Sequence, residues 1–294
     1  MAIKTVGVVG CGLMGAGIAQ VCAQAGYETV VREIEQGILD AGLRRIAQGL
    51  AREVERGRLK PEDRAATLGR LRGTLELEEL GGADLVIEAA VEEIQVKREL
   101  FAALDRLCAP SAVLASNTSS LCILEMAVAT GRPDRVLGLH FFNPPPVMKL
   151  VEVVRTIVTS AEVFEQVMGF ARALGKVPVV AKDTPGFIVN LLLIPSLLDA
   201  IRAVEEGVAT IADIDQAMRL GCGHPMGPLT LADFVGLDTT YRIANILYDE
   251  YRHPRYAAPP LLRRMVLAGH LGRKSGQGFY DYRGPEPVPA ELVR

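Results

Sequence analysis

The sequence lacks the features that would place it in several special classes of protein. It contains no Trp, and its five Cys residues are scattered, odd in number and without the spacing of metal ligands. This pattern argues against a disulfide framework or a cysteine-based metal site. It is typical of a reduced, intracellular protein.

Membrane and nucleic-acid signals are also missing. No uninterrupted apolar run reaches membrane-spanning length, and the N-terminus enters an apolar strand pattern without a signal or transit peptide. The formal net charge of −3 provides no overall attraction to nucleic acid or anionic lipid. We therefore expect a cytoplasmic protein with neither of these partners, in which any polyanionic ligand is bound by local charges.

The remaining composition is that of a soluble globular protein. Of 294 residues, 49% are hydrophobic and 23% are charged. This length exceeds that of a typical single domain, so two domains are expected.

A glycine-rich loop near the N-terminus predicts a dinucleotide site. The apolar run 5–9 leads into Gly10-Cys11-Gly12-Leu13-Met14-Gly15, and a helical pattern follows over 18–25. A second short apolar run ends at Glu33. A glycine motif alone is weak, but this strand–loop–helix context with a later acidic residue is what a dinucleotide fingerprint requires.

Each part of the loop has a physical task. Gly10 permits the tight turn, Gly12 lets the backbone approach a pyrophosphate, and Gly15 allows the helix to pack closely on the strand. The helix N-terminus presents free N–H groups and a positive dipole end to the phosphates. Glu33 would bind the adenosine ribose and repel a 2′-phosphate, which favours NAD, although the neighbouring Arg32 keeps NADP open. The alternative is a loop whose glycines serve packing only.

An unusually long connection follows Glu33. About fifty residues separate it from the next strand pattern at Asp84, far more than a crossover needs. Two helices are predicted, over 34–58 and 61–70, as a helical insertion spanning about 34–72. The first has apolar residues at helical spacing, and basic residues occupy many of the other positions: Arg44, Arg45, Arg52, Arg56, Arg58 and Lys60. These form either a solvated face or the basic side of a hairpin that projects from the sheet and meets a phosphorylated substrate tail.

Four chemically useful side chains follow predicted strands directly. They are Glu92, Asn117, Ser119 and His140. In open α/β sheets, ligands bind beyond the carboxyl ends of the strands. The polar run 116–120 is also expected to supply, in part, the N-cap of a helix that starts near Leu121.

His140 and Glu152 lie in two apolar runs, 136–142 and 148–154. The Asn143-Pro144-Pro145-Pro146 segment between them cannot continue a sheet, because proline donates no ladder hydrogen bond. A chain reversal there would bring the imidazole and the carboxylate together, as general acid–base chemistry requires. The alternative is a core histidine and an unrelated surface Glu.

The second half of the chain has no strand alternation. Asp183-Thr184-Pro185-Gly186-Phe187 breaks the α/β rhythm, so the boundary is predicted between domains 1–183 and 184–294. Helices are expected over 188–206, 211–220, 230–252 and 261–268. Their apolar faces exceed what one small layer covers, which predicts a homodimer through this domain. Asn190, in the first helix, either contacts the backbone or another helix, or contacts substrate.

Several ordered motifs resemble those of one known family. They are 10–20 (GCGLMGAGIAQ), 116–121 (SNTSSL), 140–144 (HFFNP), 183–187 (DTPGF), 225–228 (PMGP) and 276–280 (GQGFY). Together they make essentially the whole chain similar to the L-3-hydroxyacyl-CoA dehydrogenases, and most of all to the bacterial 3-hydroxybutyryl-CoA type.

The resemblance implies a Rossmann-type, doubly wound, mostly parallel sheet followed by an all-α domain. It implies reversible NAD-dependent oxidation of an L-3-hydroxyacyl-CoA by hydride transfer, with His140 as the acid–base residue and Glu152 orienting it. Ser119 and Asn190 would contact the reacting oxygen and the thioester region. Contacts to NAD are implied for the glycine loop and for Glu33, Glu92, Lys97, Asn117, Asn143 and Lys274. The insertion would grip coenzyme A, with Arg44, Arg45 and Arg52 as candidates, and no metal is implied.

One departure and three rival functions remain. Leu191 stands where the family commonly has Arg, so whatever that arginine anchors is in doubt. A dehydrogenase of free 3-hydroxy acids typically uses a catalytic lysine, which the His140–Glu152 pair argues against. A non-catalytic NAD-binding protein and a 3-hydroxyadipyl-CoA dehydrogenase stay open.

Overall fold

The computed structural model describes residues 3–291, which form two compact units. The first unit ends at Phe187 and the second begins at Ile188, whereas the sequence pattern places the boundary between Asp183 and Thr184. In the described part of the chain, no helix has both the length and the apolar character needed to cross a membrane.

The first unit is built on one eight-stranded sheet. Its strands are β1 (Thr5–Val9), β2 (Glu28–Arg32), β3 (Leu71–Thr74), β4 (Leu85–Glu88), β5 (Val113–Ser116), β6 (Val136–Phe141), β7 (Leu150–Arg155) and β8 (Val177–Lys182). Their order in the sheet is β3-β2-β1-β4-β5-β6-β7-β8. Among the described strands of this sheet, only the β6–β7 pair is antiparallel. The predicted Rossmann-type, mostly parallel sheet is confirmed, and its order reverses between β1 and β4, where such sheets bind dinucleotides.

Helices cover both faces of this sheet. They are α1 (Leu13–Gln24), α2 (Gln36–Glu55), α3 (Pro61–Gly69), α4 (Ile94–Leu107), α5 (Ile123–Ala127) and α6 (Ala161–Ala173), with short 3₁₀ turns at Leu77–Leu80 and Pro133–Arg135. Alternate strand residues point to opposite faces. Leu85 and Ile87 accordingly join one core with α1, α2 and α6, while Val86 joins the other with α4 and α5.

The predicted helical insertion needs two corrections. Residues 71–72, which were assigned to it, begin the edge strand β3, which pairs in parallel with β2. Only one of the four β3 residues is buried, so no apolar run reveals this strand in the sequence. The first helix does not project from the sheet along its length either, because Leu39, Ile46 and Leu50 are buried in the core with α1.

Helix α2 packs closely against the glycine loop at Gly42. A Cβ at this position would lie 2.3 Å from the Cys11 sulfur and 2.4 Å from the Cys11 carbonyl oxygen. Cys11 is buried, and this burial raises the pKa of its thiol to about 11, so it stays a neutral packing group. The insertion thus supports the predicted dinucleotide loop directly.

The second unit is mainly helical. Its helices are α7 (Val189–Glu205), α8 (Ile211–Cys222), α9 (Pro228–Val235), α10 (Leu237–Tyr251) and α11 (Pro260–Leu267), with 3₁₀ turns at Pro254–Tyr256 and Arg273–Ser275. The single helix predicted over 230–252 is two helices, because Gly236 has a φ of 99° that no α-helix accommodates. A two-stranded antiparallel ladder, β9 (Tyr280–Asp281) with β10 (Val288–Pro289), was also missed.

Two buried aspartates organise this unit and account for its late motifs. Asp215 accepts hydrogen bonds from the backbone of Leu229 and Thr230 at 2.7 and 2.9 Å. Asp233 accepts them from Phe279 and Tyr280, both at 2.9 Å. The carboxylates therefore fix the starts of α9 and β9, which is a structural role for the motifs at 225–228 and 276–280.

We expect opposite effects of the same substitution at two glycines of α2. Gly42→Ala should destabilise the protein by about 1–3 kcal/mol, because the added methyl group overpacks the contact with Cys11. Gly49→Ala should stabilise it by about 0.5–1 kcal/mol, because alanine is the better helix former and the nearest heavy atom to a Cβ there is 3.7 Å away. Urea unfolding of both variants measures this. Equal stabilisation by both would contradict the close approach.

Candidate active site

The glycine loop has the geometry of a phosphate cradle. Gly10 has a φ of 96°, and a Cβ there would lie 2.6 Å from the Ala89 carbonyl oxygen, so only glycine fits. Gly12 precedes α1 without any side-chain cap, and space above it is open to at least 4 Å. The N–H groups in the first turn of a helix have no intrahelical partners, and together with the open space at Gly12 this helix start fits a pyrophosphate. Leu13 is exposed at this turn, while Met14 packs on the core.

Glu33 is fixed at the end of β2, beside the loop. Its Oε2 accepts a hydrogen bond from the Cys11 N–H at 2.8 Å, and its Oε1 accepts one from the Ile34 N–H at 2.7 Å. Arg32 donates from Nε to the Leu75 carbonyl oxygen at 3.2 Å. The fixed negative charge next to the cradle disfavours a ligand with an additional phosphate there.

His140 and Glu152 face each other across the antiparallel pair. They are register partners in β6 and β7, and His140 Nδ1 lies 2.7 Å from Glu152 Oε2. The Glu152 side chain is fully buried and that of His140 is 7% exposed. The predicted chain reversal at 143–146 is confirmed, and the alternative of an unrelated surface Glu is wrong. A carboxylate at Nδ1 favours the proton on that nitrogen and leaves Nε2 as the acceptor.

Two phenyl rings flank the imidazole, which the sequence analysis did not foresee. The ring centroids of Phe142 and Phe187 lie 4.5 and 5.7 Å from that of His140. Phe187 is buried in a left-handed backbone conformation, with a φ of 46°. Together with Glu152, these rings restrict the orientation of the imidazole.

The predicted convergence at the sheet edge is observed for the residues of the first unit. Asn117 Oδ1 accepts a hydrogen bond from the Phe141 N–H at 2.9 Å, which ties the loop after β5 to the residue following His140. Ser119 donates its N–H to Glu92 Oε1 at 3.0 Å. These groups therefore occupy the carboxyl ends of β4, β5 and β6.

The polar run 116–120 does not cap the following helix, contrary to expectation. Helix α5 begins at Ile123, and Asp183 accepts hydrogen bonds from the N–H groups of Ile123 and Leu124 at 2.8 and 2.7 Å. The cap comes from the motif at 183–187, distant in sequence, so local pattern could not reveal it. Asp183 thereby connects the end of β8 to the segment after Ser119.

Lys97 is buried, although it was predicted to contact the cofactor. Its side chain is 1% exposed, and Nζ lies 2.5 Å from Glu88 Oε1 and 3.3 Å from Glu92 Oε2. Burial would raise the pKa of Glu92, but the Lys97 ammonium and hydrogen bonds from the 118–119 segment hold that pKa below its ordinary value. Glu92 is therefore ionised at neutral pH.

A cleft of about 200 Å³ lies between α1, α2 and the turn at 143–146. Arg45, Arg52 and Asn143 line it, whereas Arg44 does not. The turn is anchored from beneath by Lys176, whose Nζ donates to the Pro145 and Met148 carbonyl oxygens at 2.5 and 2.9 Å. The cleft therefore combines two arginines with a rigid opposite wall.

Two predicted site residues belong to the second unit. Asn190 lies half-buried in the first turn of α7. Lys274 Nζ lies 2.7 Å from Asp238 Oδ2. Leu191, the departure from the family pattern, packs against the core of this unit. The roles of Asn190 and Lys274 remain predictions.

Comparison with known proteins accounts for almost the entire chain. The profile described as 3-hydroxyacyl-CoA dehydrogenase, NAD binding domain, matches residues 5–184, and that of the C-terminal domain matches residues 186–282. The chain belongs to the 3-hydroxyacyl-CoA dehydrogenase family. Its first unit is an NAD-binding domain of that family.

Individual relatives agree with this assignment. A 3-hydroxybutyryl-CoA dehydrogenase of Mycobacterium tuberculosis is 53% identical over 96% of this chain and 99% of its own length. Human mitochondrial hydroxyacyl-coenzyme A dehydrogenase is 46% identical over 96% of this chain and 92% of its own. The crystal structure of a (S)-3-hydroxybutyryl-CoA dehydrogenase from Ralstonia eutropha superposes with a TM-score of 0.93 at 42% identity, covering 96% of this chain and 100% of that one.

Cofactor preference should depend on Glu33. We expect Glu33→Gln to improve NADPH affinity relative to NADH by about tenfold or more, because the fixed charge that opposes a 2′-phosphate is removed. Titration calorimetry with both dinucleotides measures the ratio. Glu35→Gln, which removes the same charge from an exposed neighbouring residue, should leave the ratio unchanged. An unaltered ratio in Glu33→Gln would show that discrimination lies elsewhere.

Proposed function

We propose that this protein catalyses the reversible NAD-dependent oxidation of a short-chain L-3-hydroxyacyl-CoA, such as 3-hydroxybutyryl-CoA, to the 3-ketoacyl-CoA. The observation that carries the proposal is the buried His140–Glu152 pair, 2.7 Å apart, in the NAD-binding unit of this family. The names of the similar proteins support the choice of substrate.

In this mechanism His140 is the acid–base residue. Its Nε2 accepts the proton of the C3 hydroxyl group, and the Glu152 carboxylate stabilises the imidazolium that forms. NAD, when bound, supplies the acceptor for the hydride of C3. Ser119 and Asn190 hold the substrate oxygens in the reactive geometry. In the reverse direction the His140 imidazolium returns the proton.

The cleft beside α1 supports binding of the coenzyme A tail. Arg45 and Arg52 line it, and guanidinium groups bind phosphate through paired N–H donors. Of the three candidate arginines these two are favoured, since Arg44 lies outside the cleft. The opposite wall at 143–146 belongs to the turn that joins the strands of His140 and Glu152.

The second unit supports a homodimer. Several of its large apolar side chains are exposed, among them Leu192, Val208, Leu220 and Leu267. Burial of such side chains against a second copy stabilises association. We extend the proposal to a homodimer through this unit. We also place the protein in the cytoplasm, because all five cysteines are free thiols and a reducing compartment keeps thiols in that form.

Substrate comparison tests the proposed activity. The protein should oxidise NADH with acetoacetyl-CoA and should not do so with free acetoacetate, because the free acid lacks the phosphate-bearing tail that the arginine-lined cleft is proposed to bind. Absorbance of NADH follows both reactions. Equal turnover of the free acid would indicate a hydroxy-acid dehydrogenase, and turnover of neither would indicate a non-catalytic NAD-binding protein.

A matched pair of variants locates the tail in the same assay. Arg52→Ala should raise KM for acetoacetyl-CoA roughly tenfold, since a hydrogen bond to a charged group contributes about 1.5–3 kcal/mol. Its KM for NADH should not change. Arg44→Ala, outside the cleft, should behave as the wild type.

The acid–base pair predicts two graded losses. His140→Ala should lower kcat roughly 10²–10⁴-fold, the usual range for a general acid–base residue. Glu152→Gln should lower it less, because the amide can still orient the imidazole but no longer stabilises the imidazolium that forms. Circular dichroism and NADH binding serve as controls for folding. Near-complete turnover by a folded His140→Ala variant would refute the mechanism.

A further inference from the structure

Glu88 is a buried acid that the proposed mechanism does not use. It is the last residue of β4, and its side chain is completely inaccessible to solvent. Its Oε1 accepts hydrogen bonds from Lys97 Nζ at 2.5 Å and from the Ala90 N–H at 2.6 Å. Its Oε2 accepts one from Ser116 Oγ at 2.6 Å. A carboxylate buried to this extent persists only because each oxygen is satisfied.

These contacts belong to a closed ring of side chains. Lys97 bridges Glu88 and Glu92, and Thr118 Oγ1 donates to Glu92 Oε1 at 2.5 Å. The Thr118 N–H in turn donates to Ser116 Oγ at 3.1 Å, and Ser116 returns to Glu88. The ring thus joins the ends of β4 and β5, the start of α4 and the loops between them.

Ser119 is hydrogen-bonded to a member of this ring. Glu92 Oε1, which receives the Thr118 hydroxyl group, also receives the Ser119 N–H at 3.0 Å, and Ser119 Oγ lies 3.4 Å away. Ser119 is the residue that the proposed mechanism assigns to the substrate oxygen. Glu88 is therefore connected to Ser119 through Lys97 and Glu92 by two hydrogen bonds and one ion pair.

Stability alone is a weak reason for this arrangement. The ring is built from ionisable side chains, and buried ion pairs are often no more stable than apolar residues of similar volume. A hydrogen-bonded ring does, however, fix the positions of its members more narrowly than apolar packing of adaptable side chains. The feature that it fixes is the loop at the carboxyl edge of β5, where ligands of such sheets bind.

We propose that Glu88 is a positioning residue that, through Lys97 and Glu92, holds Ser119 in the geometry needed for catalysis. The catalytic part of this inference rests on the proposed function. Its structural part, the control of the Ser119 segment by Glu88, does not.

Glu88→Gln is the direct test, because it preserves shape and replaces the acceptor for Lys97 with a neutral amide. We expect kcat with acetoacetyl-CoA to fall by about tenfold or more, since a misplacement of about 1 Å at a reacting group can cost about 100-fold. Amide hydrogen exchange in segment 117–120 should accelerate.

Leu104→Ala is the matched control. Leu104 is fully buried on α4, the helix that carries Lys97, but it packs in the core outside the ring. It should destabilise the protein without changing kcat or exchange at 117–120. If it reproduced both effects of Glu88→Gln, these effects would reflect general destabilisation and the proposal would fail.

A double-mutant cycle with Ser119→Ala tests the route. If Glu88 acts through Ser119, Glu88→Gln should have a much smaller effect on kcat in the Ser119→Ala background, whereas additive losses would overturn that route. Unchanged exchange at 117–120 in Glu88→Gln would overturn the proposal whatever the activity. Absence of wild-type turnover with acetoacetyl-CoA would instead refute the proposed function, and the exchange result would still decide the structural part.

Discussion

The antiparallel register of β6 and β7 is the constraint on which the candidate site depends. It places His140 opposite Glu152, and a slip of one residue would turn Glu152 to the other face of the sheet. The register is set by the reversal at 143–146, and Lys176 holds that turn through two backbone carbonyl oxygens. Lys176, a buried residue directly before β8, thus helps to keep the buried acid and base aligned.

Around this pair, the sheet edge is held by bonds from side chains to loop backbone. Asn117 binds the N–H of Phe141, Glu92 binds that of Ser119, and Asp183 caps α5. Loops that cover a ligand site carry backbone groups without ladder partners, and each must be satisfied in another way. The polar residues of this edge meet that requirement, and they simultaneously fix the side chains that would face a substrate. Structural and functional readings of the run 116–120 are therefore not alternatives.

How much the sequence predicts depends on the range of the interactions. The glycine loop is recognisable because its strand, turn and helix are adjacent in the chain, and the His140–Glu152 contact because one proline-rich turn joins two apolar runs. The edge strand β3 is not predicted, because only Thr74 is buried there and the sequence shows no apolar run. The Asp183 cap and the contact between Glu88 and Ser116 are not predicted, because the partners lie far apart in sequence. The contacts of Lys97 with two carboxylates show the same limit, and its contact with the cofactor stays a prediction.

The same helix serves two different kinds of anion site, which reconciles an acidic protein with phosphate-rich ligands. At the N-terminus of α1 the ligands are backbone N–H groups, whose dipoles attract a pyrophosphate without adding net charge. One turn later, Ala16, Gly17 and Gln20 form a wall of the cleft in which Arg45 and Arg52 supply full charges. No acidic side chain is among the described residues that line this cleft, whereas Glu33 stands directly beside the glycine loop. In the proposed function, the charged side chains that surround a bound coenzyme A tail are therefore all positive. At the proposed NAD site, the attraction of the helix N-terminus for phosphate is opposed by the adjacent Glu33 carboxylate. In the proposed function, this difference in local charge distinguishes the two adenine nucleotides.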